Sequence, residues 1–414
     1  MRPTDTAGDA APRGLDRRLM ASLFAVVCLD AASSSAILPI LPFLLRDLGA
    51  TPLILGLVLG AEALSQFLAA PWLGQLSDRF GRKTVLLASQ AGALVSLTLL
   101  AMADSVVFVL LARVLLGLTA ANFAAAAARA ADGSGPADRR QAIGILSAGL
   151  GLGGMIGPSL SGMLAGTSLA APIWAALVLS AASMLVTGLG LREAPGRPGG
   201  DAEQVVRERA SFRSLLASPA IRILVAVLLC HYFAYGMFSS QLPVFLGDTF
   251  TWNGHAFGPR ELGVILTADG AINILVQLFL LKWLGRRFGE RTLIVLVFAI
   301  LSVGYVAAGL AVDIGTLAFA VLCVSTGVAL ARPTFVAALS VHVPRQRQGV
   351  VMGATQSLVA VTDTVSPVVA GVIVGQALYA AWIGAVVATA MAGAVIARSR
   401  LRPRDDAAAI AAGG

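Results

Sequence analysis

Residues 74–83 have the sequence GQLSDRFGRK and join two long apolar segments of the chain. A glycine, an acid, a basic residue, a second glycine and two further basic residues follow at fixed intervals: Gly74, Asp78, Arg79, Gly81, Arg82 and Lys83. Glycine lets helices approach closely, an acid accepts hydrogen bonds at a helix N-terminus, and basic residues hold a loop at the cytoplasmic membrane surface. The segment therefore predicts a loop between two membrane-spanning helices. An ordinary basic loop that follows the positive-inside rule is the alternative.

The rest of the chain is strongly apolar and predicts many more such helices. Of its 414 residues, 57% are hydrophobic and 13% are charged, and the mean hydropathy is +0.84. Soluble domains carry about 25% charged residues, which excludes an ordinary soluble enzyme. A bilayer crossing needs about 20 apolar residues, and twelve such stretches begin near Leu19, Leu53, Thr84, Val106, Ala142, Ala171, Ile221, Leu262, Thr292, Thr316, Gly349 and Ala377. The sequence therefore predicts an all-α membrane protein with twelve transmembrane helices.

Basic residues predict the orientation of these helices. Most of the 30 Lys and Arg residues fall in segments that share one side of the membrane if the N-terminus is cytoplasmic, as the positive-inside rule requires. We therefore expect both termini in the cytoplasm, with the first apolar run retained as a helix and not cleaved as a signal. Three arginines, Arg113, Arg129 and Arg332, lie within predicted spans. Arg129 and Arg332 lie toward the cytoplasmic ends of their helices, which favours side chains that reach the interface.

The helices divide into two six-helix halves. The predicted segments are a cytoplasmic tail at 1–18, a first half at 19–191, a linker with Pro and Gly at 192–220, a second half at 221–397 and a cytoplasmic tail at 398–414. The WLG and RFGRKT sequences at 72–74 and 79–84 recur as WLG and RFGERT at 283–285 and 287–292. Repeated halves predict alternating access, with a substrate site between them near the bilayer midplane.

Two motifs carry a family resemblance. Residues 74–83 resemble the hallmark loop of the major facilitator superfamily, which implies a major facilitator fold of two pseudo-symmetric halves and a loop that latches the cytoplasmic gate. A motif on the fifth helix, formed by Gly153, Gly157, Pro158 and Gly162, resembles the motif of that family's antiporters. It combines a proline, which removes a helix hydrogen bond, with glycines that allow tight packing. Ordinary packing of small residues is the alternative.

The first half also resembles the tetracycline-efflux branch of the drug:proton antiporters. The resemblance lies in residues 29–31 and 37–45 of the first helix, 66 and 70–74 of the second, and 113–117 of the fourth. It implies a carrier driven by the proton gradient, without a cofactor. The chain departs from that branch at Ser96, where the branch has an acid, and at residues 295–310, which contain no acid. These departures argue against tetracycline itself as the substrate.

Charged residues within predicted spans mark functional sites by default, because they are costly in lipid. A rise of about 1.5 Å per residue places Asp30, Glu62 and Arg113 at similar depth near the midplane and predicts that they form a buried cluster. Arg113 would keep one carboxylate ionised, while burial would favour protonation of the other, as a proton carrier needs. We predict Asp30, Glu62, Arg113 and Asp363 as proton-coupling residues, with purely structural pairing as the alternative.

The second half supplies candidate substrate-binding residues. Asp269 and Asp363 lie at similar depth on the eighth and eleventh helices and are expected to face each other. Polar and aromatic residues complete the predicted site: His231, Tyr235, Gln241, Asp269, Asn273 and Gln277. A single His in an apolar helix is more often a packed, hydrogen-bonded residue than a proton sensor, so both interpretations stay open for His231.

The sequence contains no motif for catalysis or ATP use. It has no Gly-rich phosphate loop ending in Lys and Ser or Thr, no HExxH or GxSxG, and no metal spacing among its three cysteines. We therefore predict a non-enzymatic monomer of the bacterial inner membrane that binds protons and a small molecule, without metal, cofactor or nucleic acid. The predicted function is export of small amphipathic compounds or drugs in exchange for protons. Metabolite export, uptake by symport, and a non-transporting sensor or scaffold are the alternatives.

Overall fold

The computed structural model describes residues 16–120, 122–135, 138–191, 219–342 and 348–401. Most of these residues are helical, and twelve stretches are long and apolar enough to cross a membrane. This confirms the predicted all-α class with twelve spans. The predicted tails at 1–18 and 398–414 and the linker at 192–220 lie largely outside the described residues.

The described helices of the first half cover six spans. They are α1 (Arg17–Ser35), α2 (Leu41–Asp47), α3 (Pro52–Phe80), α4 (Arg82–Ala101), α5 (Val106–Leu118), α6 (Asn122–Asp132), α7 (Arg139–Ala165) and α8 (Ala171–Gly190). The short α2 continues the crossing that α1 begins, and α5 and α6 together form the fourth span.

The second half contains the other six spans. Its helices are α9 (Pro219–Thr249), α10 (Pro259–Leu275), a π-helical turn (Val276–Leu280), α11 (Leu281–Arg287), α12 (Glu290–Gly309), α13 (Ile314–His342), α14 (Gln348–Val374) and α15 (Tyr379–Arg400). A small antiparallel hairpin of β1 (Thr251–Trp252) and β2 (His255–Ala256) connects α9 to α10. The eighth span runs through α10, the π-helical turn and α11.

Local chemistry explains where several helices begin. The Asp16 side chain accepts hydrogen bonds from the N–H groups of Arg18 and Leu19 at 3.0 and 3.3 Å, which caps α1. Gly81 separates α3 from α4 at φ +94°, a left-handed conformation that favours glycine, so the turn itself requires the second glycine of the 74–83 segment. Nothing lies within 4 Å of a Cβ added at Gly74. The close helix approach predicted there is absent from this conformation.

Buried apolar side chains form two clusters in the first half and one larger cluster in the second half. In the first half α1 packs against α7 and α8, and α3 packs against α5. In the second half α9 and α12 both pack against α15, around the fully buried Trp382, Tyr305 and Phe298. The indole N–H of Trp382 donates to the carbonyl oxygen of Met237 at 3.0 Å, which satisfies its polar group within the core. The halves meet mainly along α3 with α14 and α7 with α10.

Contacts between the halves are concentrated at one end of the molecule. We call the end where α1 begins and α15 finishes the terminal end, and the opposite end the far end. Near the far end, Gly56 on α3 packs against the backbone of Pro367 on α14, and Gly162 on α7 packs against Gly263 on α10. Toward the terminal end, a cavity of about 360 Å³ separates α3 from α14. The structure is therefore closed at the far end and open toward the terminal end.

Candidate functional site

A central cavity of about 370 Å³ lies between the two halves. Its walls are mainly apolar side chains from both halves, including Leu38, Leu41, Leu55, Leu59, Phe238, Leu262, Leu266 and Val324. Two carboxylates, Asp269 and Asp363, also line it, and none of its lining residues is Lys or Arg. Pockets for drug-sized ligands are concave and largely apolar, with a few polar groups that fix orientation. The central cavity has this character.

The structure brings Asp269 and Asp363 to this one cavity. Asp269 on α10 accepts a hydrogen bond from Ser325 Oγ on α13 at 2.5 Å. Asp363 on α14 is exposed and also lines the cavity that separates α3 from α14. Asp363 therefore stands where the central cavity meets the passage toward the open end.

Three further predicted residues lie in the second half, and one of them lines the central cavity. Tyr235 lines the central cavity directly. Asn273 and Gln277 are hydrogen-bonded to each other and do not line the central cavity. They continue the helical face of Asp269 toward the terminal end, because residues four apart on a helix share a face.

His231 and Gln241, which were also predicted to contribute to the substrate site, are not among the residues that line the central cavity. His231 is 4% exposed, and its ring packs among those of Tyr235 and Phe335. Gln241 is fully buried, and its Nε2 donates to the carbonyl oxygen of Pro52 at 3.2 Å. His231 thus belongs to an aromatic core, and Gln241 links the two halves near the far end.

Glu62 on α3 and Arg113 on α5 form an ion pair. Arg113 Nη1 lies 3.3 Å from Glu62 Oε2, and the side chains are 3% and 28% exposed. Gly117, one turn further along α5, packs against the backbone carbonyl oxygen of Glu62. This close approach of α3 and α5 allows the two side chains to meet inside the first half.

Asp30 lies apart from this pair, so the predicted cluster of Asp30 with Glu62 and Arg113 is wrong. Asp30 is 8% exposed, and its Oδ2 accepts a hydrogen bond from Gln90 Nε2 on α4 at 3.4 Å. Gln90 also donates to the hydroxyl groups of Ser183 and Thr187 on α8, at 2.9 Å each. The cluster does not form because the rotation of α1 about its axis turns the Asp30 side chain toward α4 and α8.

The glycines of the fifth-helix motif pack α7 against two neighbours. At Gly153 and Gly157, an added Cβ would collide with the backbone of α1. At Gly162, an added Cβ would lie 2.8 Å from the Cα of Gly263 on α10. The motif therefore supports packing within the first half and closure between the halves.

Residues 74–83, which were predicted to form a loop, are helical except for Gly81, and they contact other helices of the first half. Arg82 Nη1 lies 2.5 Å from Asp78 Oδ1, and Arg82 Nε lies 3.4 Å from Asp132 Oδ2 at the end of α6. Lys83 Nζ donates to the carbonyl oxygen of Gly188 near the end of α8 at 2.7 Å. These contacts hold the segment at the terminal end.

Two polar features of the structure were missed by sequence reasoning. One is the hydrogen-bond network of Gln90. A single amide side chain in an apolar helix was the feature of the sequence that could have indicated it. The other is the ion pair of Arg46 and Asp248, at 3.0 Å, with Tyr379 Oη donating to Asp248 at 2.8 Å. No local pattern predicts that pair, because its two members come from different halves and meet only when the far end is closed.

The fold and the cavity define a class of protein. Two six-helix halves enclose a ligand-sized cavity that is closed at one end and open toward the other, as in secondary transporters that work by alternating access. Within the described ranges, no group of three or more His, Cys, Asp or Glu side chains is placed to hold a metal ion. The protein is a membrane transporter of this class.

Comparison with known proteins gives the family. The family described as Major Facilitator Superfamily matches residues 23–367 and 254–413, and the chain belongs to it. The tetracycline resistance protein, class G, of Vibrio anguillarum is 34% identical over 366 residues, covering 87% of this chain and 90% of the relative. The class C protein of Escherichia coli is 31% identical over 363 residues, with 87% and 89% covered. The resemblance to the tetracycline-efflux branch is confirmed.

Solved structures share the fold. A nucleoside transporter has a TM-score of 0.74 at 15% identity, covering 91% of this chain and 99% of that chain. The human organic anion transporter MFSD10 has a TM-score of 0.68 at 22% identity, covering 93% and 100%. At these identities the likeness shows the fold alone. Twelve apolar helices and bacterial relatives together indicate a multi-pass protein of a bacterial inner membrane.

Proposed function

We propose that this protein exports small amphipathic compounds or drugs from the cytoplasm in exchange for protons. The observation that carries the proposal is the central cavity, which is mainly apolar and is lined by two carboxylates and no basic side chain. Apolar walls bind the body of a drug, and a carboxylate binds a proton or a positively charged group. The relatives named tetracycline resistance proteins support drug export as the activity.

In this proposal the terminal end faces the cytoplasm. Basic residues near that end, among them Arg82, Lys83, Arg287 and Arg291, support the orientation through the positive-inside rule. The conformation described above is then the inward-facing state, in which substrate enters from the cytoplasm between α3 and α14. One chain supplies both walls of the cavity, which supports a monomer in the lipid bilayer as the transporting unit.

Exchange takes place at the carboxylates. In the inward-facing state Asp363 releases its proton to the cytoplasm and its charge attracts the positive group of the substrate. After reorientation, protonation from outside neutralises the carboxylate and releases the substrate. Asp30, Glu62 and Arg113 are further coupling residues, because a change in carboxylate charge alters the ion pair or the hydrogen-bond network that each belongs to.

Transport by everted membrane vesicles tests the proposal. Collapse of a pH gradient, acidic inside, is followed while tetracyclines, fluoroquinolones, phenicols and lipophilic cations are added in turn. We expect at least one compound to release protons with the wild type and not with Asp363→Asn. Asp104→Asn changes an exposed acid in the far-end loop between α4 and α5 and is the matched control. Absence of proton release across the panel, or a wild-type response from Asp363→Asn, would show that the proposal is wrong.

A further inference from the structure

Arg332 on α13 has no role in the transport cycle described above. Its position predicted a side chain that reaches the membrane interface, but the structure places it in a cavity of about 230 Å³ between α9, α13 and α14. The side chain is exposed to this cavity. Charges within membrane spans are costly and mark function by default, so this arginine needs an explanation.

No acidic side chain neutralises Arg332 in the described part of the protein. None of the ion pairs found there includes it. The other residues that line its cavity include no acid: Leu228, Tyr232, Phe335, Val336, Leu339, Thr355 and Gln356. The guanidinium group of arginine presents N–H donors in a planar fork that matches a carboxylate or a phosphate. The lining of this cavity therefore suits an anionic group.

The remaining walls of this cavity suit an amphipathic molecule. The Tyr232 and Phe335 rings and aliphatic side chains from α9 and α13 provide apolar surface. The Gln356 amide and the Tyr232 hydroxyl provide neutral hydrogen-bonding groups beside the guanidinium. Such a combination binds an acidic group attached to an aromatic body and fixes its orientation.

The Arg332 cavity adjoins the substrate path. Gln356 lines both this cavity and the one between α3 and α14, and Asp363 lines both the latter and the central cavity. Gln356 and Asp363 lie seven residues apart on α14, which is about 10 Å along a helix. Arg332 and Asp363, which carry opposite charges, therefore lie in cavities that follow one another along the same path.

We propose that Arg332 forms an anion-binding subsite, which binds the acidic group of a zwitterionic substrate while Asp363 binds its positively charged group. This inference rests on the proposed export function and narrows the substrates to amphipathic compounds that carry both an amine and an acidic group. A cation without the acidic group uses the same path, but Arg332 does not increase its affinity.

Two dyes that differ in one carboxylate test the inference. Rhodamine 110 has a free carboxylate beside its positively charged ring system, and rhodamine 123 is its methyl ester. Binding of each dye to the purified full chain is measured by fluorescence polarisation for the wild type, Arg332→Gln and Arg332→Lys. We expect Arg332→Gln to reduce the affinity for rhodamine 110 at least about tenfold more than the affinity for rhodamine 123. This is the effect of losing one charge-assisted hydrogen bond. Arg332→Lys keeps the charge but not the planar fork, so its affinity for rhodamine 110 should fall less than that of Arg332→Gln.

Arg260→Gln, an exposed arginine at the far end, is the matched control and leaves the preference between the dyes unchanged. A wild type that binds neither dye, or only the ester, overturns the inference. An equal loss of affinity for both dyes in Arg332→Gln also overturns the inference, because the arginine would then support the fold and not bind the carboxylate. Failure of the proposed function gives a different result: the Arg332-dependent preference is present, but neither dye releases protons from vesicles.

Discussion

Arg113 shows how a buried charge depends on a single neighbour. Its side chain is 3% exposed, and its Nε and Nη2 atoms have no hydrogen-bond partner among the described residues, so Glu62 is its one ionic contact there. We expect Glu62→Leu to lower the free energy of unfolding by about 3 kcal/mol, because it leaves a buried charge unpaired. The Glu62→Leu/Arg113→Leu protein should recover most of that loss. Denaturation in mixed micelles measures both, and a double variant less stable than the single one would contradict this account.

Proton coupling at Glu62 and at Asp30 can be separated, because the two acids lie in different networks. Glu62→Gln and Asp30→Asn replace the carboxyl group with an amide and retain a hydrogen-bonding side chain of similar size. We expect each to reduce substrate-driven proton release in vesicles, with Asp30→Asn preserving protein yield because the amide oxygen still accepts from Gln90. If both variants retain full proton-coupled export, neither acid carries a coupling proton.

At the residue scale, the level of a side chain along its helix could be predicted from the sequence, but the direction in which the side chain points could not. A fixed rise per residue predicts how far along its span Asp30 lies, and the side chain is 8% exposed in the structure. The direction of its side chain depends on which helix covers that face of α1. Val26, one turn before Asp30, accepts a hydrogen bond from Ser183 on α8 at 3.2 Å. That contact turns Asp30 toward α8, and no pattern within α1 predicts it.

Among single elements, α13 begins at a cap whose strength depends on pH. Asp313 Oδ1 accepts from the Thr316 N–H at 3.0 Å, and Oδ2 accepts from the Thr316 hydroxyl at 3.1 Å. These hydrogen bonds lower the pKa of Asp313 below its ordinary value. A lowered pKa in the folded state stabilises the fold above the ordinary Asp range, and this contribution disappears as pH falls through the folded-state pKa.

We therefore expect Asp313→Ala to lower Tm at pH 7 and to approach the wild-type Tm below about pH 4. Thermal unfolding of both proteins across this range measures the difference. A Tm difference that stays constant with pH would mean that the ionised carboxylate does not cap α13.

Closure of α7 against α10 depends on Gly162. A larger side chain there would collide with the backbone of α10 around Gly263, so we expect Gly162→Val to favour the state open at the far end. A Leu266→Cys probe in the central cavity, in a variant with the three native cysteines replaced, should then react faster with an impermeant maleimide added on the far-end side of the membrane. Gly154→Val is the control on the same helix, because nothing lies within 4 Å of an added Cβ there. Equal labelling rates in the two glycine variants would contradict a role for Gly162 in closure.

Helix positions were predictable because bilayer thickness fixes the length of each apolar run. Interruptions of the α-helix within a span could not be predicted from the sequence. Residues 36–40 separate α1 from α2, and the π-helical turn at Val276–Leu280 interrupts the eighth span. Both segments are as apolar as their neighbours, so hydropathy reports the crossing and not the change in backbone hydrogen bonding.

At the scale of the whole molecule, the internal repeat predicted two halves with a site between them, but not the conformation. Every state of an alternating-access transporter has the same hydropathy and the same repeat. Closure at the far end depends on contacts between residues that are distant in sequence, such as Gly56 with Pro367 and Gln241 with Pro52. These contacts are properties of one state, which is why sequence patterns do not report them.

The ion pair of Arg46 and Asp248 links α2 to α9 across the closed far end. The side chains are 60% and 28% exposed, so the pair contributes on the order of 1 kcal/mol or less. That amount is enough to shift an equilibrium between closed and open states severalfold, since 1.4 kcal/mol is a factor of ten. We expect Arg46→Gln to increase labelling of the Leu266→Cys probe from the far-end side severalfold, with Tm unchanged.

Three comparisons separate loss of this ion pair from a general effect of removing charge. Exchange of the two charges, Arg46→Asp with Asp248→Arg, should return the labelling rate toward that of the wild type. Arg260→Gln removes another exposed arginine at the far end and should leave the rate unchanged. High salt should act on the wild type as Arg46→Gln does, because ions screen exposed pairs. A wild-type labelling rate in Arg46→Gln would mean that the close contacts of glycines between the halves hold the far end closed without this ion pair.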